Sequence, residues 1–456
     1  MTEARAARRL IAGLALALAL TACDSLDTME APVDQSMADR PVDPIAIGAQ
    51  TYGQAIALLT ENYASGVEST QLFAAGQRGA WLALAQAGVL ARDFDVPPVG
   101  GALAETAQSS RARYRQIAGR YASKIDPSWL AHRMIGEAAA SLDDCHTGFL
   151  SALQVREQTR RLAGNARFGG VGVLVRRTAD NRYAVIEVFA DGPAAQAGLR
   201  RGDSLIAVDG EPLTELGIDH VVARVRGPEG STVRLTIARP GQSSPFDVTL
   251  TRGQIVAPSV ESRMVTATIG YVHVYGFTEA LIDRLDRALA DLDRQGARAV
   301  ILDLRDNGGG QLDVITRATS RFIRDGALFQ SIARDGKTVT FRADGSYWLR
   351  DRPLVVLTNN GTASGAEILA SALKEHRLAI AVGARTAGCV STGQVFPLAD
   401  GTAIEIATTR VVTGIRSAEL NKVGVQPHIT VDISLDDLAE GRDPQMDRAI
   451  AIIEGR

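Results

Sequence analysis

A serine set among small residues, Thr362-Ala-Ser-Gly-Ala-Glu367, carries the strongest chemical signal in the chain. It follows the apolar run Pro353-Leu-Val-Val-Leu-Thr358 and leads into Ile368-Leu-Ala-Ser-Ala-Leu373. The pattern predicts a turn between a buried strand and the start of a helix. At such a turn, helix-terminal N–H groups favour developing negative charge, and small neighbours leave room for a substrate. A serine hydroxyl does not attack a carbonyl unaided, so this chemistry requires a base supplied from elsewhere. Five other polar candidates, His132, His220, His273, His376 and His428, show no metal-ligand spacing, and no phosphate loop or dinucleotide fingerprint is present. No cofactor is expected.

The elements that must position the serine fall into three regions. From about 46 to 163 apolar residues recur with helical spacing, as in Ala55-Ile-Ala-Leu-Leu59, Leu72-Phe73 and Tyr114, Ile117 and Tyr121. Pro97-Pro-Val-Gly-Gly101 predicts a loop within this region, and Ser141-Leu-Asp-Asp-Cys-His-Thr-Gly-Phe-Leu150 a structured turn at its end. From 164 to 253 the pattern changes to short strands bounded by Gly, Asp or Pro: Val171–Val175, Tyr183–Val188, Leu205–Val208 and Val233–Ile237. From 254 to 456 strands and helices alternate, with Ile269–Tyr275, Ala299–Leu304, Leu354–Leu357 and Ile380–Gly383 as strands. This predicts an α/β core whose apolar strands are covered on both faces.

With 456 residues the chain calls for two or three domains, and a hydrophobic content of 46% suffices to build their cores. A net charge of −3 without a basic block argues against nucleic acid as a partner. Arg5, Arg8 and Arg9 precede an apolar run from Leu10 to Leu20, followed by Leu20-Thr-Ala-Cys23. The run is shorter than the roughly 20 residues of a membrane span, which favours a cleaved signal peptide over 1–23. Its end resembles a bacterial lipoprotein box, making Cys23 the lipidated N-terminus and 24–45 a flexible tether. An ordinary secretory signal with an incidental cysteine is the alternative. In an oxidising compartment the two remaining cysteines, Cys145 and Cys389, are expected to pair as a disulfide rather than persist as two buried thiols.

Seven segments in order resemble the carboxy-terminal-processing (tail-specific) serine proteases over nearly the whole mature chain. Phe168-Gly-Gly-Val-Gly-Val173 resembles the carboxylate-binding strand of a PDZ domain. Gly192-Pro-Ala-Ala-Gln-Ala-Gly-Leu-Arg-Arg-Gly-Asp203 and Ile206–Leu213 are similar to that domain's next signatures. Leu302-Asp-Leu-Arg-Asp-Asn-Gly-Gly-Gly310, Thr362–Glu367, Phe396–Gly401 and Gly424–Pro427 resemble those of the protease domain. The resemblance implies an α/β protease core of the ClpP/crotonase-like kind, a PDZ β-sandwich or barrel domain, and a helical N-terminal region. It also implies a serine endopeptidase of the cell envelope, lipid-anchored and facing periplasm or exterior. Its partners would be protein or peptide substrates, bound through their C-termini by Phe168, Gly169, Gly170 and Val171.

The same resemblance assigns Ser364 as nucleophile and the N–H groups of Gly365 and Gly309 as the oxyanion hole, with Gly310 as an alternative to Gly309. Glu367 would hold the serine turn. One departure is clear: Cys389 stands where Ser/Lys members carry their lysine base, and the nearest lysines are Lys374, expected to be solvated, and Lys422, in a loop. In tricorn-type and retinoid-binding-type relatives a histidine in an Asp-x-His-Thr-like turn is the base, which points to His146. An imidazole titrates near neutrality, whereas a lysine needs strong desolvation to accept a proton. The bland role for His146 is a structural bond to the turn. Glu419, Asp143 and Asp144 are candidates for a third member. A Cys145–Cys389 bridge would pin the histidine turn against the serine segment. The rival readings are a catalytically dead PDZ-bearing scaffold or regulator and, more remotely, a binder of hydrophobic ligands.

Overall fold

The computed structural model describes residues 43–90, 107–162, 167–178, 181–189, 191–214, 216–256 and 258–456. The expected signal peptide, Cys23, almost all of the tether and the Pro97-Pro98 loop lie outside them. Among the described residues, no helix is long and apolar enough to cross a membrane.

The helical spacing at the N-terminal end becomes α1 (Pro44–Asn62), α2 (Ser69–Gln86), α3 (Ala107–Tyr121) and α4 (Pro127–Ala140), then a short strand β1 (Gly148–Leu150) and α5 (Ala152–Leu162). Asp126 caps α4 by accepting the Trp129 N–H at 2.8 Å, with Pro127 at the first helical position. Tyr52, Leu59, Phe73, Tyr114 and Leu130 are buried together, and Gly76 leaves room for the Tyr52 hydroxyl. Leu398, Ile404 and Ile406, more than 250 residues later, complete the same core. The helical region is therefore a layer of the same unit as the C-terminal α/β domain.

The middle of the chain forms a small β-module: β2 (Arg167–Gly170), β3 (Val173–Arg177), β4 (Tyr183–Val188), α6 (Pro193–Gln196), β5 (Ser204–Val208), β6 (Glu211–Pro212), α7 (Ile218–Val225), β7 (Thr232–Ala238), β8 (Phe246–Thr251) and β9 (Gly253–Val256). Its main sheet runs β3-β4-β5-β7-β8, and β2 pairs with β9. Strand β3 is an edge, with α7 packed beside it. That leaves a row of backbone groups able to accept another strand.

The rest comprises β10 (Val260–Met264), β11 (Ile269–Val274), α8 (Leu281–Arg294), β12 (Ala299–Asp303), α9 (Leu312–Ser320), β13 (Ala327–Ala333), β14 (Thr338–Arg342), β15 (Leu354–Thr358), α10 (Gly365–Glu375), β16 (Ala379–Gly383), β17 (Ser391–Pro397), β18 (Ala403–Thr413), β19 (Ile429–Thr430), α11 (Leu435–Ala439) and α12 (Pro444–Ile453). One sheet has the order β10-β11-β12-β15-β16-β19, parallel apart from the β10–β11 pair. Its strands read as unbroken apolar runs because α8, α9 and α10 cover one face and α12 the other. Alternation alone did not anticipate the second sheet, in which β18 pairs with β1, β13 and β17 and β14 lies outside β13. Its strands mix Thr, Arg and Gln with apolar residues, and the β13–β18 and β1–β18 pairings that assemble the sheet join segments far apart in the chain, so local pattern leaves it unmarked.

Candidate active site

Three neighbouring parallel strands deliver the serine and its surroundings to one edge of the sheet. At the carboxyl end of β12 lies the turn Asp306-Asn-Gly-Gly-Gly310, at that of β15 the serine turn, and after β16 the segment 384–390. Crevices outside the carboxyl ends of parallel strands are the usual ligand sites of such sheets.

Ser364 has φ +53° and ψ −117°, a conformation that costs a non-glycine residue on the order of 1–3 kcal/mol. Two acceptors hold it there: its N–H faces the Glu367 Oε2 and the Cys389 carbonyl, each at 3.0 Å. The Glu367 carboxylate is fully buried, yet among the described residues no cation pairs with it. It accepts from Ser364 N–H, Gly388 N–H at 2.8 Å, Cys389 N–H at 2.9 Å and the Thr386 hydroxyl. A carboxylate in the first turn of a helix also gains from the N-terminal end of the dipole. Glu367 thus fastens the start of α10 to the segment after β16.

Gly365 and Gly309 are glycines for lack of space. A Cβ on Gly365 would stand 2.2 Å from Ile315 Cδ1. On Gly309, at φ +94°, a Cβ would lie 2.7 Å from the Gly365 nitrogen and 3.0 Å from Ser364 Oγ. The Asp306–Gly310 turn therefore lies directly against the serine. In this conformation the Gly309 N–H donates to Asn307 Oδ1 at 2.9 Å, while Asn307 Nδ2 donates to the Val274 carbonyl at 2.7 Å. The Gly309 N–H, expected as an oxyanion donor, is thus occupied by the Asn307 side chain in this conformation. Asn307 is drawn in because its amide would otherwise be buried without partners.

The base of this turn is fixed by charge. Arg305 bonds Asp303, Asp443 and Gln445 in a buried network. Burial would raise the Asp303 carboxyl, but Arg305 and His273 beside it hold it down to about 2. Asp306, at φ +59°, is gripped through both carboxylate oxygens by Arg176 from β3 of the β-module. Tyr275 adds a second link by donating to Glu187 of β4 at 2.7 Å. Burial pushes that glutamate's pKa up. All of these residues except Gln445 line a cleft of about 560 Å³ between the β-module and the parallel sheet.

The turn after α4 brings His146 in from the other side. The expected disulfide is present: Cys145 and Cys389 are bonded, with Cα atoms 5.9 Å apart. Thr147 accepts the Ala407 N–H at 3.0 Å and so docks the turn on β18. His146 Nδ1 lies 2.9 Å from Ser391 Oγ and 3.8 Å from Cys389 Sγ. No hydrogen bond joins His146 to Ser364 among the described residues; what joins them is Cys389, bonded through its carbonyl to one and lying beside the other. Asp144 organises the turn, accepting the His146 N–H at 2.9 Å and standing 3.5 Å from Ser391 Oγ. Asn421 braces it, reaching Asp144 Oδ2 at 3.5 Å and accepting the Val390 N–H at 3.2 Å. Sequence reasoning missed Ser391, Asn421, Asn307 and Arg176. Only Ser391, two residues beyond the anomalous cysteine, offered any signal.

The other candidates are placed elsewhere. Glu419 pairs with Arg410 at 3.3 Å, and Asp143 with Lys422 at 2.7 Å. The Asp143 hydrogen bond raises the Lys422 pKa, so that lysine stays charged. Lys374 is half-buried rather than solvated, and its ammonium donates to the Gln426 carbonyl. Phe168, Gly169 and Gly170 lie in β2, with the Arg226 guanidinium 4.0 Å above the Phe168 ring, and buried Val171 leads into β3. The Gly227 N–H donates to the Gly169 carbonyl.

This arrangement has known counterparts. Residues 268–431 match the model of peptidase family S41 and residues 185–239 that of the PDZ domain. The carboxyl-terminal-processing protease of Synechocystis sp. is 32% identical over 329 residues, covering 70% of this chain and 76% of that protein. The chain belongs to peptidase family S41. Within it the relatives are carboxy-terminal-processing proteases, and the chain is a serine-type peptidase carrying a PDZ domain. The carboxy-terminal processing protease CtpA of Bacillus subtilis is 28% identical over 323 residues, 70% of this chain and 68% of its own. The fold is also that of a photosystem II D1 C-terminal processing protease, with a TM-score of 0.56 at 24% identity over 87% of this chain and 98% of that one.

Replacing Glu367 by Gln leaves four donors facing a group that presents two donors of its own. Glu367→Gln is expected to destabilise the S41 domain by about 2–4 kcal/mol, the cost of a broken buried charge-assisted network. Denaturant titration measures it; a loss below 0.5 kcal/mol (about the level of an ordinary surface change) contradicts this role.

Proposed function

We propose that this chain is a lipid-anchored, extracytoplasmic endopeptidase in which Ser364 attacks the peptide carbonyl and His146 takes its proton. The observation that carries the reading is the position of His146 Nδ1 against Ser391 Oγ, with Asp144 behind it. In the tautomer that donates from Nδ1 to Ser391, the lone pair is on Nε2, which bonds no other group among the described residues. That is the state a general base requires. Ser391 and Asp144 then act as positioning residues for the imidazole.

The reaction forms an acyl-enzyme on Ser364 and releases the leaving amine with the proton carried by His146; water, deprotonated by the same imidazole, hydrolyses the ester. The Gly365 N–H, at the first position of α10, supplies one oxyanion donor. Gly309 supplies the second when its N–H exchanges Asn307 Oδ1 for the substrate oxygen.

The open edge of β3 beside α7 suits an extended segment that adds as a further strand, with the substrate's C-terminal carboxylate at Phe168–Val171. Arg176 leaves the same strand to hold Asp306, so substrate docking and the oxyanion turn share one element. Anchoring rests on the basic head, short apolar run and Cys23.

A fluorophosphonate probe tests the nucleophile and base together. Labelling is expected for the intact chain and lost in both Ser364→Ala and His146→Ala; a His146→Ala protein that labels normally contradicts the base assignment. Well-folded protein that never labels favours the scaffold reading. Arg176→Ala is expected to lower kcat on a C-terminal peptide about tenfold, the effect of losing roughly 1.4 kcal/mol of support for the turn. Unchanged kcat would separate the PDZ domain from catalysis. Cys23→Ala should move the protein from the membrane to the soluble fraction; continued membrane association would remove the lipid anchor from the proposal.

A further inference from the structure

The disulfide that pins the histidine turn brings three metal-ligating atoms together. Cys145 Sγ, Cys389 Sγ and the ligating nitrogen of His146 lie within 4.8 Å of one another. Nδ1 is 3.5 Å from Cys145 Sγ and 3.8 Å from Cys389 Sγ. A tetrahedral zinc with bonds of about 2.3 Å to sulfur and 2.0–2.1 Å to nitrogen sets N···S edges at about 3.5–3.6 Å and an S···S edge at about 3.8 Å. One of the three edges already has that length, a second, at 3.8 Å, is slightly longer, and the third is closed by the disulfide bond.

We propose that reduction of Cys145–Cys389 turns this corner of the site into a binding site for one zinc-type divalent cation, held by the two thiolates and His146 Nδ1. A dithiol reductant supplies two electrons, opening the disulfide to two thiols and leaving as its own cyclic disulfide. The cation then displaces the two thiol protons, and water fills the fourth position. The framework does not depend on the S–S bond. Glu367 holds the Cys389 N–H, Ser364 donates to the Cys389 carbonyl, and Asp144 holds the His146 N–H. Side-chain rotation about Cα atoms 5.9 Å apart suffices to separate the sulfurs. Cys145 is exposed, so both reductant and metal have access.

Capture of Nδ1 has a chemical consequence. Ser391 loses its partner, and the single proton of the neutral ring moves to Nε2. The nitrogen proposed to accept the Ser364 proton becomes a donor, so the metal-loaded enzyme is off. This consequence rests on the base assignment made above; the metal site itself does not.

The test uses the full chain carrying Cys23→Ser, so that no third thiol competes, with zinc or cobalt(II) as probe. After reduction it should retain one zinc per chain through gel filtration, and cobalt(II) should give the intense d–d bands of a tetrahedral thiolate site. The oxidised protein, a control that needs no further mutation, should do neither, and Cys145→Ser or Cys389→Ser should lose the bands. Zinc should cut fluorophosphonate labelling of the reduced chain at least tenfold, with recovery on adding a chelator. No stoichiometric binding, or binding that persists in either serine variant, overturns the site. Stoichiometric zinc with unchanged labelling keeps the site and overturns His146 as base.

Discussion

The carboxylate of Glu367 is the constraint on which the site depends. Four donors converge on it from two segments of the chain's last third, and without them its charge would be buried at a cost of several kcal/mol. Because it is buried, the donors must come to it. They draw the segment after β16 against the first turn of α10 and set the Cys389 carbonyl beside the Ser364 N–H. The unusual backbone of Ser364 is the local expression of that arrangement, and the position of Cys389 is its longer-range result.

Parallel pairing and cross-linking divide the work between them. The register of β12, β15 and β16 fixes how far each following turn projects from the sheet, so the glycine turn and the serine turn meet at van der Waals distance. The histidine turn belongs to another sheet, and β18, the Asn421 bridge and the disulfide relate it to the serine.

What could be read from the sequence was local or a matter of counting. The serine turn is legible because a strand, small residues and a helix start are contiguous there. The disulfide is legible because only two cysteines remain after the signal segment. Ser391 was not, since a serine in a Thr- and Gly-containing strand has nothing but its nearness to Cys389 to mark it, and its partner is 245 residues away. Arg176 looked like any polar residue of a short strand; its meaning lies in Asp306, in a different domain. Gly309 was recognised as part of the turn, but the direction of its N–H follows from where Asn307 finds partners. The β13–β14–β17–β18 sheet stayed hidden because its two hairpins, β13–β14 and β17–β18, are joined into one sheet by the β13–β18 pairing, which connects segments far apart in the chain.

The shared core of the N-terminal helices bears on the order in which the molecule can be built. Tyr52, Phe73 and Leu130 pack against Ile404 and Ile406, so on the ribosome the first layer emerges long before its floor exists. Domains tend to fold from the N-terminus as they are made, and the PDZ module, whose core is its own, can do so here. The histidine turn cannot dock until β18 has been synthesised. A growing chain therefore carries the parts of its site far apart, and they meet only when the polypeptide is nearly complete.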